Sequence, residues 1–372
     1  MEEMDAVKAE PMGELDVFGV FDPVDDEPIQ IPMGSQDEDS ARLRALLSFG
    51  QSSSTYHLAM PEPPSARYRM IGAGACGAVF SQEGSSWATK LARSGYARVL
   101  GNDYKQHMEI VRQFTAWNVG GVLIPCCYGF VEAEEAASFF RDNENLAEAA
   151  SSTLNTLTAA LMSERIWPLP WVVRELLIDR YCRPELSAAA KMIDVNRDCL
   201  IRPYLGRNRD SHWRRFVSLR NFKMDLAHMG EIGLDTVNIA SRMGEAMAVI
   251  HWAAGTDGRD IEFVLGTSRE QWADAGGDVY GPSQRGTALW VLDFNQVRPI
   301  SLDAAGVALA VEAARINDPY FPRPGRRSLS ERKIWNAFAA SYMSVSRRVL
   351  AARGCDGEHQ NGLPRMFLAG LR

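Results

Sequence analysis

The run Ile71 to Phe80, "IGAGACGAVF", places Gly72, Gly74 and Gly77 in the spacing G-x-G-x-x-G. Glycines at such positions let backbone N–H groups approach phosphate oxygens with no Cβ in the way. Two nucleotide sites use this spacing, one beneath a dinucleotide and one over the phosphates of ATP, and a plain tight hairpin uses it too. A dinucleotide turn runs into a helix and needs an acidic ribose partner about 20 residues on. Here Ala78, Val79 and Phe80 read as a strand, and the acidic position falls in "KLARSG". The Gly-Lys-Ser/Thr ending of a P-loop is absent as well. An ATP-type turn adds a valine two residues after its third glycine, where Val79 stands.

That turn works only with partners, and the protein-kinase pattern supplies an order for them. A lysine on the next strand holds the α/β-phosphates, and a helix glutamate orients it. Lys90 ends "WATK", and Glu109 lies in the following helical stretch. Downstream, "VLDFNQ" puts Asp293 where an Asp-Phe-Gly aspartate holds Mg²⁺. Laid on the catalytic-loop pattern, "GTDGRDIEFVL" sets Asp257 at the base, Arg259 at a phosphate-contacting cation and Glu262 at a metal-binding asparagine. Asp257 and Asp260 compete for the base: Asp257 fits the spacing, and Asp260 is either the base or a loop brace. ATP and Mg²⁺ are the cofactors this order implies. His251, between Ile250 and Trp252, reads as a packed histidine at a helix end, and Cys76 as a small residue filling the turn.

These residues need elements to hold them. "SARYRMIGAGACGAVF" and "WATKLA" alternate like the strands of a hairpin, and "NDYKQHMEIVRQFTAWN" has helical spacing with Tyr104, Met108, Val111 and Phe114 on one side. Asn102 or Asp103 is placed to cap it. Glu134 to Arg165 reads as helical. "GLDTVNIASRMGEAMAVIHWAA" is an amphipathic helix capped near Asp235 or Thr236, with Ile239, Met243, Met247 and Ile250 inward. "IEFVL" and "ALWVLDF" read as strands flanking a Gly/Ser-rich loop, Gly266 to Gly286. The expected fold class is α+β, a kinase-like bilobal arrangement. Its parts are an acidic, largely disordered head over 1–64, an N-lobe over 65–205 with a helical insertion at about 134–190, a C-lobe over 206–353 and a loose tail over 354–372.

Composition bounds the rest. With 46% hydrophobic and 23% charged residues, the 372-residue chain has the profile of a soluble globular protein. Thirteen Asp/Glu against three Lys/Arg up to Met60 give the head −10, so the body carries +3 of the total −7. That balance argues against nucleic acid as the main partner. Within the head, Leu43, Leu46 and Leu47 share one face of a short helix over Ser40 to Phe49. The acidic start lacks a secretory signal, and no apolar run reaches a membrane span. The six cysteines show no C-x-x-C and no His at finger spacing, so neither zinc nor a disulfide framework is expected. The expected setting is intracellular, cytoplasmic or nuclear.

The blocks "RMIGAGACGAVF", "GEAMAVIHW", "DIEFVLG", "LWVLDFNQ" and "NDPYFPRP" together resemble a fungal family of uncharacterised proteins filed under a zinc-finger label. The likeness runs from about Ser65 to Leu350 and implies no particular activity. More distantly, the chain resembles the protein-kinase-like and aminoglycoside phosphotransferase superfamily. It departs from that pattern in four ways: Gly255–Thr256 replace His-Arg, Glu262 replaces asparagine, Asn295 replaces glycine, and no Ala-Pro-Glu follows Asp293. The resemblance therefore implies a phosphotransferase for a small or unknown substrate, or a catalytically dead scaffold that regulates protein partners.

Overall fold

The computed structural model describes residues 33–49, 67–154, 158–208, 218–268, 286–326, 328–355 and 357–372. Most of the acidic head and of the Gly266–Gly286 loop lies outside the described residues. The architecture is mixed α+β, built on two sheets. No helix among the described residues is long and apolar enough to cross a membrane.

After helix α1 (Met33–Leu47) come β1 (Tyr68–Ala73), β2 (Gly77–Gln82), β3 (Trp87–Ala92), α2 (Ala97–Ala116), β4 (Cys127–Val131), α3 (Ala136–Asp142), α4 (Glu144–Ser151) and β5 (Ala160–Glu164). The strands form an antiparallel sheet in the order β1-β2-β3-β5-β4. Strand alternation gives it two apolar faces. Ala78, Phe80, Leu91 and Ala160 pack on Phe140, Leu146 and Ala150 of α3 and α4, whereas Ala92 and Leu161 pack with Leu100 of α2. The helical reading of Glu134 to Arg165 is corrected here. Its first part is helical, but Ala160–Glu164 is the strand β5 that pairs with β3 and β4. Alanine and leucine favour helix intrinsically, and cross-strand pairing on both sides overrides that preference.

The rest of the chain supplies α5 (Trp171–Tyr181), α6 (Pro184–Met192), β6 (Ile201–Tyr204), β7 (Phe222–Asp225), α7 (Leu226–Ile232), α8 (Thr236–Ala248), β8 (Glu262–Thr267), β9 (Thr287–Leu292), α9 (Ala304–Ile316), α10 (Leu329–Ala352) and α11 (Gly357–Gly370). Four strands make a second sheet, β7-β6-β8-β9, in which β6 and β7 run parallel. β6, expected at the end of the N-lobe, thus sits in the second sheet, and α5 packs in the large core with α8 and α10. The helical insertion is accordingly divided, α3 and α4 covering the first sheet and α5 joining the second core.

Helix α8 begins at an Asp235 cap that accepts from the Asn238 N–H at 3.0 Å, and buries Ile239, Met243 and Met247. It crosses α10 so closely that a Cβ on Gly244 would meet the Phe338 carbonyl oxygen at 2.4 Å. A π-helical turn at Val249–Ala253 ends it, with His251 and Trp252 wholly buried. The His251 Nδ1 lies 2.8 Å from the Tyr342 hydroxyl.

Two terminal expectations need correcting. The head contains α1, longer than the helix read from the sequence, whose Leu43 and Leu47 enter the main core; the Thr287 hydroxyl donates to the Leu46 carbonyl at 2.6 Å. The supposed loose tail is α11, which inserts a fully buried Phe367 against His251 and Tyr342. Apolar spacing there is interrupted by Gly362 and Pro364, which hid the helix.

Burial holds the His251 imidazole neutral, its pKa pushed down to about 3 from 6.5. The unfolded chain binds a proton below about 6.5 that the folded chain refuses until far lower. His251 therefore contributes stability that is present above that range and lost as pH falls from 6.5 toward 3. Melting temperatures of wild type and His251→Leu, measured from pH 7 to 4.5, should converge as pH falls. Parallel curves would contradict this.

Candidate functional site

The β1–β2 turn is built by close approach. A Cβ on Gly77 would stand 2.4 Å from the Leu91 carbonyl oxygen, so only glycine lets β2 lie on β3 there. The space around Gly74 is open, and Gly72 meets only ordinary contact from Val79. The Gly74 N–H donates to the Gly77 carbonyl at 2.9 Å, and Arg93 pins the turn through the Gly74 and Cys76 carbonyls. Gly77→Ala should therefore cost about 1–3 kcal/mol, while Gly74→Ala should stay within about 0.5 kcal/mol; denaturant melts check both. Equal losses would contradict this account of the turn.

Beneath the turn, Val79 pairs with Lys90 across β2 and β3. The Lys90 ammonium donates to Asp103 Oδ2 at 2.7 Å and to Asp293 Oδ1 at 2.8 Å. Burial works to lower its pKa, but the charges of Asp293 and Asp103 prevail and raise it. Asp103 also accepts the Phe294 N–H at 3.0 Å, and the neighbouring Asn102 amide reaches the carbonyls of Asn295 and Val297 at 2.9 and 3.0 Å. One turn of α2 thereby ties both sheets together at Lys90.

Glu109 takes no part in this. Its carboxylate accepts from Arg112 at 2.7 and 3.0 Å and from Gln113 at 2.9 Å. The reason is helical phase: Asp103 and Glu109 stand about 120° apart around the helix, so only one faces Lys90. The inward face carries Leu100, Asp103, His107, Ile110 and Phe114, whereas Met108 is exposed. Nor do Asn102 and Asp103 cap α2, which starts earlier, at Ala97. The stripe 103-107-110-114 was the available signal, obscured because Asp103 suits a cap.

Asp293 follows β9 with φ 65°, and Asp260 has φ 61°, both left-handed conformations. Asp293 also accepts from the Asn295 amide, and Asp260 from the Gln296 amide. The Asp260 N–H donates to Asn317 Oδ1 at 2.7 Å. Glu262 opens β8, and Arg202 on β6 reaches both its oxygens at 2.6 Å. Burial pushes the Glu262 carboxyl up to about 7 against the pull of Arg202, with Asp293 and Asp260 adding to the rise. Burial, and the Asp293 charge after it, raise Asp260 as well. The Glu262 and Asp293 side chains keep 24% and 28% exposure, so a small ligand can reach them. Burial raises the pKa of the Cys76 thiol in the turn, with the Asp293 charge adding to the rise and Lys90 opposing it. Arg202 went unrecognised in the sequence because its partner is sixty residues away.

Asp257 and Arg259 point elsewhere. Asp257 is wholly buried, its Oδ1 accepting the N–H groups of Arg259 and Arg298 at 3.0 and 2.9 Å and its Oδ2 the Arg298 Nε at 2.7 Å. Arg259 pairs with Glu312 of α9 at 2.8 Å. The expectation that Asp257 serves as base and Arg259 contacts phosphate is thus corrected. The Asp257 carboxylate, taken up by two backbone N–H groups and the Arg298 guanidinium, braces the loop, and Arg259 pairs with α9.

A family model described as zinc finger protein matches residues 289–354. That segment holds the last four residues of β9 together with α9 and α10 and contains neither Cys nor His, so the soft ligands of a zinc site are missing from it. Among the described residues no three His, Cys, Asp or Glu are grouped to hold a metal ion on their own. No curated protein and no solved structure matches the chain.

Proposed function

We propose that this chain has a kinase-like bilobal fold and binds Mg-ATP between its two sheets, transferring phosphate to a small-molecule hydroxyl. The observation that carries the reading is Lys90, bridging Asp103 of α2 and Asp293 after β9 beneath a glycine turn. A glycine turn puts no side chain at Gly74 in the way of phosphates, and Lys90 supplies their counter-charge. The oxygen-only donors Asp293 and Glu262 suit Mg²⁺, which takes one or two carboxylates and completes its shell with phosphates and water. Burial raises the pKa of both carboxyls against the pull of Arg202 and Lys90, with neighbouring carboxylates adding to the rise, and a bound cation would favour their charged forms. Bound there, Mg²⁺ would supply charge neutralisation on the transferred group.

Asp260 is the base in this reading. The acceptor oxygen forms its bond to the γ-phosphorus as the bond to the β-phosphate oxygen breaks, and Asp260 takes the hydroxyl proton. Its raised pKa brings it nearer to working pH, as proton transfer favours. A small acceptor follows from the short passage between Asp293 and the Asp303 cap of α9, which leaves no platform for a peptide.

A non-catalytic scaffold of the same fold is the second reading, favoured by the grip of Arg298 on Asp257 and of Arg202 on Glu262. ADP release with Mg-ATP separates the two. Asp260→Asn should slow turnover about 10²–10⁴-fold with nucleotide binding retained. Wild type that binds ATP and forms no ADP with any hydroxyl acceptor would leave only the scaffold.

A further inference from the structure

On the side of the molecule where the sheets join, three guanidinium groups share one carboxylate. Arg69 of β1 reaches both Asp198 oxygens at 2.5 and 2.6 Å. Arg220, before β7, reaches Asp198 Oδ2 at 3.3 Å and the Met70 carbonyl at 3.1 Å. Arg165, following β5, stands 3.6 Å from Asp198, beyond hydrogen-bond reach. It is only 4% exposed, and its Nε has no partner. Burial and the charge of Arg69 both lower its pKa, with Asp198 and the exposed Glu83 pulling the other way. The Trp167 ring, 4.9 Å from the Arg165 guanidinium carbon, covers it without neutralising it. Arg174 of α5, whose pKa burial and the charges of Arg197 and Arg69 lower, also has an unpartnered buried Nε.

Buried charges are normally matched, and Asp198 alone bridges the three guanidinium groups, while the charges of Glu83 and Asp194 act on Arg69. Arginine forks suit tetrahedral oxyanions, which accept several charge-assisted hydrogen bonds at once. The Arg69 and Arg220 side chains, 32% and 21% exposed, leave the cluster open to solvent. We propose that Arg69, Arg165 and Arg220 form an anion site for a phosphate dianion, separate from the Lys90 cluster and free either as inorganic phosphate or as the phosphomonoester of a phosphorylated side chain. Because Arg69 lies on β1 of the first sheet and Arg220 just before β7 of the second, an occupant clamps one to the other.

The test is a thermal-shift titration of the full chain with inorganic phosphate and with a Gly-phosphoserine-Gly peptide, at ionic strength held constant with chloride. A saturable rise is expected in wild type and in Lys90→Ala, weakened about tenfold or more in Arg220→Gln. Asp198→Asn removes the competing carboxylate and should bind phosphate more tightly than wild type. This variant decides the matter should Arg220→Gln fail to fold. Tighter binding of the peptide than of phosphate assigns a phosphorylated side chain; equal or weaker binding assigns free phosphate. The proposal is overturned if neither probe saturates, if the shift vanishes in Lys90→Ala but survives in Arg220→Gln, or if Asp198→Asn gains nothing.

Discussion

Asp103→Ala should lower stability by about 3 kcal/mol, since removing one partner of a buried ion pair strands the other, and should abolish nucleotide-dependent stabilisation. Asp103 is 3% exposed and holds both Lys90 and the Phe294 N–H. Lys90 keeps Asp293, so the loss sits at the low end of the range for buried pairs. Without Asp103, α2 no longer fixes the lysine or the chain beyond β9. Glu109→Ala, at the residue the kinase pattern would choose, should change stability by no more than about 0.5 kcal/mol, because its partners are exposed neighbours on its own helix. Urea melts with and without Mg-ATP measure both. A harmless Asp103→Ala, or a Glu109→Ala that loses nucleotide, would overturn the assignment of Asp103.

Phe367→Ala should be at least as damaging to the fold, costing about 3–5 kcal/mol, as for other buried phenylalanines. Phe367 is fully buried, with its ring centroid 4.6 Å from His251 and 4.9 Å from Tyr342. These two side chains close the π turn that precedes the Asp257 loop. A large drop in the denaturation midpoint is expected, with lower nucleotide affinity following from the loosened loop. A midpoint within error of wild type would mean that α11 is dispensable.

Local patterns were readable from the sequence wherever one short stretch carried the signal. The β1–β2 turn, the strand carrying Lys90, the inward face of α8 and the strand before Asp293 all follow from spacing within a dozen residues. Pairings across long separations were not readable. Asp103 looked like a cap because one of its partners, the Phe294 N–H, lies 191 residues along the chain, and Asp257 looked like a base because Arg298 was not seen to meet it. β5 was hidden by alanine and leucine, whose helical preference yields to strand neighbours. α11 was hidden by an internal proline, tolerated because the helix is fastened by Phe367. Motif order thus located Lys90 and Asp293, while helical phase and tertiary pairing decided which acids stand beside them.

Mg-ATP binding at the Lys90 cluster is decided by a thermal-shift titration of wild type and Lys90→Ala. Mg-ATP at about 100 times its Kd should stabilise wild type by about 2.7 kcal/mol and leave Lys90→Ala unmoved. An unmoved wild type, or an equal shift in both proteins, would contradict it.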